Sequence, residues 1–492
     1  MKKIEPLYII ITMRTIRLFN TLTRSIEPVA PAEPGVVKVY NCGPTIYSFA
    51  HIGNLRTFLF QDLLRRVFAS SGFDARFCMN LTDVEDKIIR DSQGELPQDA
   101  DNETRLKAMR EFTSRFEKSF LEDLDALKIQ RPTHMPRATE YIPQMIRLIE
   151  GLEKKGLAYE RDGSVYYRVS AFPNYGCLAR LDRDGMKIGA SVDADEYDRD
   201  SLSDFVLWKG AKPGEPWWES RWGRGRPGWH IECSAMSLEL FGGRLDIHTG
   251  GIDLVFPHHE NEIAQSEGLL GHTWVSHWVH GEHLMVEGEK MSKSLGNFYT
   301  LRDLIKKGVD PIVFRFAIQS NHYRKPYNFT FDGLGASEAA LKRIRAFRRR
   351  MEDVFAPGGG GEFKQSIDPG VRIEQAREEF WDALCDDINT PEALAALFTL
   401  ITDLNAQDDR VLMTPEERSA ALAFLDETNA VFAAWPQESQ VLGEEIESMI
   451  EARKAAKASK NWAEADKIRD NLKAMGIILE DRKDGSVAYH KV

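Results

Sequence analysis

Apolar residues first gather at Val36 to Tyr40, a short run that predicts a buried strand and that the pair Gly43-Pro44 breaks. A helical period opens near Ile52 and carries Leu55, Leu59, Leu63 and Val67 along one face until Gly72 stops it. Phe77 to Leu81 then predicts a second strand. Strand, glycine-bearing turn, helix and strand in this order make the first half of a doubly wound, Rossmann-like α/β fold. Its ligands lie beyond the carboxyl ends of parallel strands.

From about Arg90 to Pro227 the pattern changes to charged helices and short aromatic strands such as Val165 to Val169, which reads as an insertion. The sheet pattern resumes at Leu245 to His248, turns at Gly250-Gly251 and runs to about Phe316, after which the chain becomes helical. Pro357 to Gly361 has the composition of a linker. Beyond it, Thr390 before Pro391 and the capping box Thr414-Pro415-Glu416-Glu417 mark helix starts. The tail from Gly443 predicts a helix ending at Gly476, a strand Ile477 to Glu480 and a hairpin turn at Asp484-Gly485. The expected division is an N-terminal extension 1–16, a main domain 17–316 with an insertion at about 91–227, a connecting region 317–356, a helical bundle 357–440 and a small α/β domain 441–492.

At the start, Lys2 and Lys3 precede a short apolar run, Leu7 to Ile11, in the manner of a signal peptide. The run is too short and lacks a small-residue cleavage site before Arg14. Arg14 to Leu18 suits a strand, so starts at Met1 and at Met13 are both open.

Composition narrows the classes. A chain of 492 residues exceeds one hydrophobic core, which points to about two to four domains. With 42% hydrophobic and 28% charged residues and no apolar run of membrane length, a soluble protein without a membrane partner is expected. Cys42, Cys78, Cys177, Cys233 and Cys385 are too sparse for a disulfide framework, so a reducing cytoplasm is expected. A net charge of −12 excludes broad nucleic-acid affinity and leaves only local patches. The most basic, Lys342, Arg343, Arg345, Arg348, Arg349 and Arg350, suits a solvated helix face as well as a phosphate contact.

Two segments carry candidate nucleotide chemistry: His51-Ile52-Gly53-Asn54 and Lys290-Met291-Ser292-Lys293-Ser294. In this order, on opposite halves of a doubly wound fold, they resemble the two signature motifs of class I aminoacyl-tRNA synthetases. Adenylate formation gathers charge on phosphates, and Lys290 and Lys293 are cations able to stabilise that transition state. Gly53 permits close backbone approach, while His51 adds a donor at a helix start that favours anions. The family's first motif more typically ends in a second histidine. Here Asn54 keeps a donor without positive charge.

Pro257-His258-His259-Glu260-Asn261-Glu262 reads as a helix start with proline at its first position. His258 and Glu262, four apart, share a face and suit a metal; His259 points a quarter-turn away and is the weaker ligand candidate. Cys42 and Cys233 are the thiol candidates. By spacing alone, two buried cysteines and an unrelated helical His/Glu pair is the simpler reading.

Three segments, Asn41 to Thr45, Gly228 to Met236 and Phe256 to Glu262, resemble cysteinyl-tRNA synthetases, and the similarity runs over nearly the whole chain from about Arg17. The resemblance implies one Zn2+ held by Cys42, Cys233, His258 and Glu262, with the substrate thiol completing its coordination. It implies an ATP site of Pro44, Thr45, His51, Gly53, Asn54, Lys290, Ser292 and Lys293, with His51, Asn54, Lys290 and Lys293 catalytic and Mg2+ arriving with ATP. Thr82 and Trp229 are expected near the bound cysteine, and Asp253 beside its ammonium. Region 317–356 is expected to meet the tRNA stem. The tail is expected to read the anticodon through Lys457, Asp466 and Asp481, with Arg453 and Trp462 nearby. The implied reaction activates L-cysteine with ATP and transfers it to the 3′ end of tRNA(Cys), in a monomer. Two rivals are a cysteine ligase of the same superfamily acting on a small amino-sugar acceptor, whose relatives lack a full anticodon module, and a non-catalytic RNA-binding paralogue.

Overall fold

In the computed structural model of the chain, strand β1 spans Val36–Asn41 and is buried on both faces, as its apolar composition requires of a central parallel strand. Helix α1, Ile52–Ser70, turns Leu55, Leu59, Leu63 and Val67 inward and ends at Ser71, with Gly72 at a φ of 91°. Strand β2 spans Asp74–Met79, earlier than the expected Phe77 to Leu81. The shift has a cause: Asn80 leaves the ladder to accept from the Gly43 N–H at 2.9 Å, and the Thr82 N–H donates to the Pro44 carbonyl at 3.1 Å.

The insertion opens with helices that include α2, Asn102–Ala126. It continues into a five-stranded antiparallel sheet whose strands Ala158–Arg161, Ser164–Tyr167 and Phe205–Gly210 are followed by Trp218–Ser220 and Gly223–Pro227. The chain then returns through helix α3, Trp229–Phe241, strand β3, Leu245–Gly251, helix α4, His258–Leu270, and strand β4, Val275–Gly281. The main sheet has the order β4-β3-β1-β2, all parallel. Its register sets His248 against Tyr40 and Asn41 against Met79.

Gly250 and Gly251, expected as a turn, are the last residues of β3 and pair with His280 and Gly281. Gly250 is required there because a Cβ would stand 2.8 Å from the His259 ring. The main sheet also ends sooner than Phe316, at Gly281. Past it, Leu284–Val286, Glu289–Lys290 and Tyr327–Phe329 form a separate small sheet. The Thr300–Asp303 capping box and the Asp310 cap before Pro311 start helices Leu301–Lys306 and Pro311–Gln319 in the intervening stretch.

Helices Phe331–Glu352, Pro369–Cys385, Thr390–Asn405 and Pro415–Phe432 follow. Thr414 makes the expected capping box, whereas Asn389, not Thr390, caps the helix before it. The buried Arg315 guanidinium donates to Asp62 of α1 at 2.6 Å and to the carbonyls of Leu127 at 2.8 Å and Phe432 at 2.6 Å, joining the sheet layer to these helices. In the basic run only Arg348 is buried, whereas Lys342, Arg343 and Arg349 are exposed. Arg343 bonds Thr402, Arg348 pairs with Asp426 at 2.7 Å and Arg350 with Asn405 at 2.7 Å.

The described residues are 13–181, 187–188, 201–202, 204–291, 295–352, 367–406, 413–435, 444–475, 477–481 and 487–491, and they fall into two compact units divided after Trp435. The second unit has helices Glu444–Ala458 and Trp462–Ala474 and the antiparallel strands Ile477–Asp481 and Val487–Lys491. The expected linker, Gly476, the Asp484-Gly485 turn and the residues before Met13 lie outside the described residues. All five cysteines are free, and no described helix is long and apolar enough to cross a membrane.

Candidate functional site

The carboxyl ends of β1 and β3 deliver Cys42 and the segment after Gly251 to one crevice, where α3 and α4 add Cys233, His258 and Glu262. One donor atom from each of Cys42, Cys233, His258 and Glu262 lies within 4.8 Å of the others, and all four side chains are buried. The His258 Nε2 to Glu262 Oε1 distance is 3.2 Å, and Cys42 Sγ stands 3.9 Å from the same oxygen. Tetrahedral zinc, with bonds of about 2.0–2.3 Å, has donor–donor edges of about 3.3–3.8 Å, close to this spacing. Two thiols, an imidazole and a carboxylate fit that ion in kind as well.

His259, the weaker candidate by helix geometry, is equally near. Its Nε2 lies 3.2 Å from Cys42 Sγ, and Cys42, His248, His259 and Glu262 form a second donor set of the same compactness. His248 reaches it from β3, with Nε2 3.0 Å from Glu262 Oε2. Sequence reasoning missed the wider histidine cluster. His230 Nδ1 lies 3.0 Å from His258 Nδ1, His259 Nδ1 lies 2.8 Å from His280 Nε2, and His280 Nδ1 meets the Thr21 hydroxyl at 2.7 Å. The available signal was His230, within a segment already singled out, and histidines inside otherwise apolar strands.

Burial dominates the electrostatics. It pushes Cys42 well up and Glu262 up to about 8, and it drives His248, His258 and His280 down to about 3. For Cys233 the bond with Cys42 lowers the thiol, but burial together with the Glu262 and Glu232 carboxylates raises it overall. Left alone, the cluster is a set of buried groups held neutral. A divalent cation reverses that preference for thiols and carboxylate alike.

Above this floor opens a cavity of about 320 Å³ lined by Cys42, Pro44, Thr45, Phe49, Trp229 and Asp253. Trp229 stacks on His258 with ring centres 4.4 Å apart. Asp253, on the turn after β3, is exposed to the cavity. Thr82 is directed elsewhere: its buried hydroxyl donates to Glu232 at 3.0 Å and accepts from Asn80 at 3.1 Å.

A second cavity, about 470 Å³, shares His51, Asn54, Thr57, Gly251 and Asp253 with the first and is closed by Met285 and Lys290. His51 caps α1 in a reciprocal pair with Asn54. The Asn54 N–H donates to His51 Nδ1, and the His51 N–H donates to Asn54 Oδ1, both at 3.2 Å. Burial lowers the His51 imidazole, opposed by the Asp253 carboxylate. A Cβ at position 53 would stand 2.7 Å from the terminal methyl of Met291 and 3.0 Å from the His51 ring, so glycine leaves both side chains undisturbed. Lys290 lies exposed at the end of a short strand, while Ser292 and Lys293 lie outside the described residues.

In the second unit Trp462 is exposed, Lys457 half-buried and Arg453 buried, and Asp466 pairs with Arg469 at 3.3 Å. Asp481 ends the strand Ile477–Asp481.

Residues 28–339 match the family of class I (C) tRNA synthetase catalytic domains, 379–433 the DALR domain and 439–486 the cysteinyl-tRNA ligase anticodon binding domain. The chain is 46% identical to the cysteine–tRNA ligase of Solibacter usitatus over 474 residues, covering 96% of this chain and 98% of the relative. It is 43% identical to that of Leptospira interrogans over 477 residues, 96% and 99% of the two chains. A methionyl-tRNA synthetase of Mycobacterium tuberculosis, solved with methionyl-adenylate, superposes with a TM-score of 0.56 at 13% identity over 81% of this chain and 89% of that one, a likeness of fold alone. With the catalytic model spanning more than half its length and relatives matched almost end to end, the chain belongs to the cysteine–tRNA ligase family of class I synthetases.

Proposed function

We propose that the chain activates L-cysteine with ATP and passes it to the 3′ end of tRNA(Cys), choosing cysteine at a zinc ion held by Cys42, Cys233, His258 and Glu262. The observation that carries this reading is the convergence of those four buried donors, with Cys42 lining a cavity that shares His51, Asn54 and Asp253 with a second, lysine-bearing one. Zinc bound there would supply a Lewis-acid centre that takes a thiolate strongly and a serine hydroxyl poorly. Such help is needed because an apolar pocket separates near-isosteres only by roughly 100-fold.

The chain's own groups divide the remaining work. Trp229 braces His258 and walls the amino-acid pocket, and Asp253, at the junction of the two cavities, accepts the substrate ammonium. His51 at the α1 N-terminus and Lys290 at the opposite wall bind phosphates, Gly53 admits the nucleotide, and Asn54 holds His51 in place. Pro44 and Thr45 line the first cavity beside His51 and Asn54. Ser292 and Lys293 complete the phosphate contacts and Mg2+ enters with ATP. Thr82 acts through Glu232 and the β1–α1 segment. The region 317–356 meets the tRNA stem, the helical bundle 357–440 serves the anticodon side, and the second unit reads the anticodon with Lys457, Asp466 and Asp481.

The test is aminoacylation of unfractionated tRNA with labelled cysteine and labelled serine, with and without a zinc chelator. Cysteine charging that the chelator abolishes supports the proposal. Serine charging at a comparable rate overturns it.

A further inference from the structure

The mouth of the first cavity carries rings that neither cysteine nor ATP explains. Phe49, in the segment between β1 and α1, is 47% exposed, yet it is held from two sides. Its ring meets Phe116 of α2 edge-on with centres 5.4 Å apart, and the Arg302 guanidinium lies 5.3 Å from its centre. Arg302 is itself fixed to α2 by Asp123 at 2.7 Å and Glu122 at 2.8 Å. Phe116 meets Phe112 at 5.2 Å, and exposed Arg115 stands over both rings at 5.3 and 5.9 Å. Phe49 and Phe116 line the cavity that holds Cys42 and Trp229 and do not line the one that holds Lys290.

A phenyl ring kept open to solvent but fixed by a tethered cation is a stacking platform. Any nucleobase offers it a π face, and single-stranded RNA ends are bound in this way. The reaction proposed above requires the tRNA's 3′-terminal ribose to reach an acyl group formed where the two cavities share residues. We propose that Phe49, backed by Arg302, stacks the terminal base of the tRNA, with Arg115 facing the adjoining phosphate. Phe49 and Arg115 are thus positioning residues for the transfer step. The inference rests on the reading of the chain as a tRNA ligase.

The test uses the full-length protein and a tRNA carrying fluorescent 2-aminopurine as its 3′-terminal base. Binding to the unmodified protein quenches the fluorophore, Phe49→Ala abolishes the quench and Phe49→Trp restores it. In parallel, the ratio of tRNA charging to cysteine-dependent pyrophosphate exchange falls roughly tenfold in Phe49→Ala and Arg115→Ala, the scale of one lost base stack or contact, and recovers in Phe49→Trp. A quench that survives Phe49→Ala, or charging and exchange that fall in proportion, overturns the assignment. Absence of cysteine-dependent exchange in the unmodified protein would instead overturn the parent reading.

Discussion

The His248 imidazole holds one oxygen of the Glu262 carboxylate at 3.0 Å, leaving the other toward His258 and Cys42. Both side chains are fully buried, so the contact fixes the carboxylate against competition from water. Removal of such an orienting partner weakens a metal site by about 10–100-fold without abolishing it. His248→Ala should therefore keep one equivalent of zinc but yield it to a weaker chelator, while Glu262→Ala should lose it on dialysis. Competition titration with a chromophoric chelator checks both.

Cys233 and His258 belong only to the sulfur-rich donor set, and His248 and His259 only to the histidine-rich one. Cys233→Ser should lose zinc and raise the KM for cysteine, whereas His259→Ala should retain the metal at near stoichiometry. Elemental analysis of the purified variants decides, and the reverse pattern would move the ion to the histidine-rich set.

His51 and Asn54 cap one another, so position 54 serves α1 as well as the lysine-bearing cavity. Asn54→Ala keeps the His51 cap on the backbone N–H of position 54 but removes the acceptor for the His51 N–H, and should cost about 0.5–1.5 kcal/mol of stability, the net value of one hydrogen bond, and slow pyrophosphate exchange. Asn54→His, whose ring can accept the same N–H, should retain both. Thermal unfolding and exchange rates of the two variants provide the comparison.

Arg315 and Asp62 are both fully buried, and Asp62 is shared with Arg66 at 2.8 Å. Removing one partner of this buried pair by Arg315→Ala should cost about 3–5 kcal/mol. Chemical denaturation of the variant measures it, and a loss below about 1 kcal/mol, the value of an exposed pair, would contradict this role.

The histidine cluster sets an acid limit on the metal-free protein. His248, His258 and His280 are held down to about 3, so the unfolded chain binds more protons as pH falls from about 6.5 toward 3, and stability drops across that window. Glu262, raised to about 8, works in the opposite sense. It contributes stability below about 4.5 that is lost as pH rises through about 8. Three groups outweigh one in the acid range. Melting temperatures of chelator-stripped protein should fall between pH 6.5 and 4, and a flat profile would contradict the burial of these rings.

Val36 to Ser70 was legible in the sequence because a doubly buried strand and a long one-faced helix leave different periodicities, bounded by Gly43-Pro44 and Gly72. The extra length of β3 was not, because Gly250-Gly251 carries a turn signal and only the proximity of His259 explains why glycine stands in a strand. Spacing also could not tell whether Cys42 and Cys233, far apart in sequence, meet. Their meeting depends on the register of β1 with β3 and on the packing of α3 against α4. His259 illustrates the limit of helix geometry: it lies off the His258–Glu262 face, yet Cys42 approaches from β1 on its side. The basic run presents the solvated face that its charge suggests at Lys342, Arg343 and Arg349, but charge could not reveal the acidic partner that another helix supplies to the buried Arg348, here Asp426.

Zinc-edge X-ray absorption, recorded with and without substrate, tests selection at the metal most directly. The expected result is one zinc per chain with two sulfur neighbours, from Cys42 and Cys233, and a third sulfur on addition of cysteine but not of serine. A protein without zinc, or a sulfur count that cysteine leaves unchanged, would contradict it.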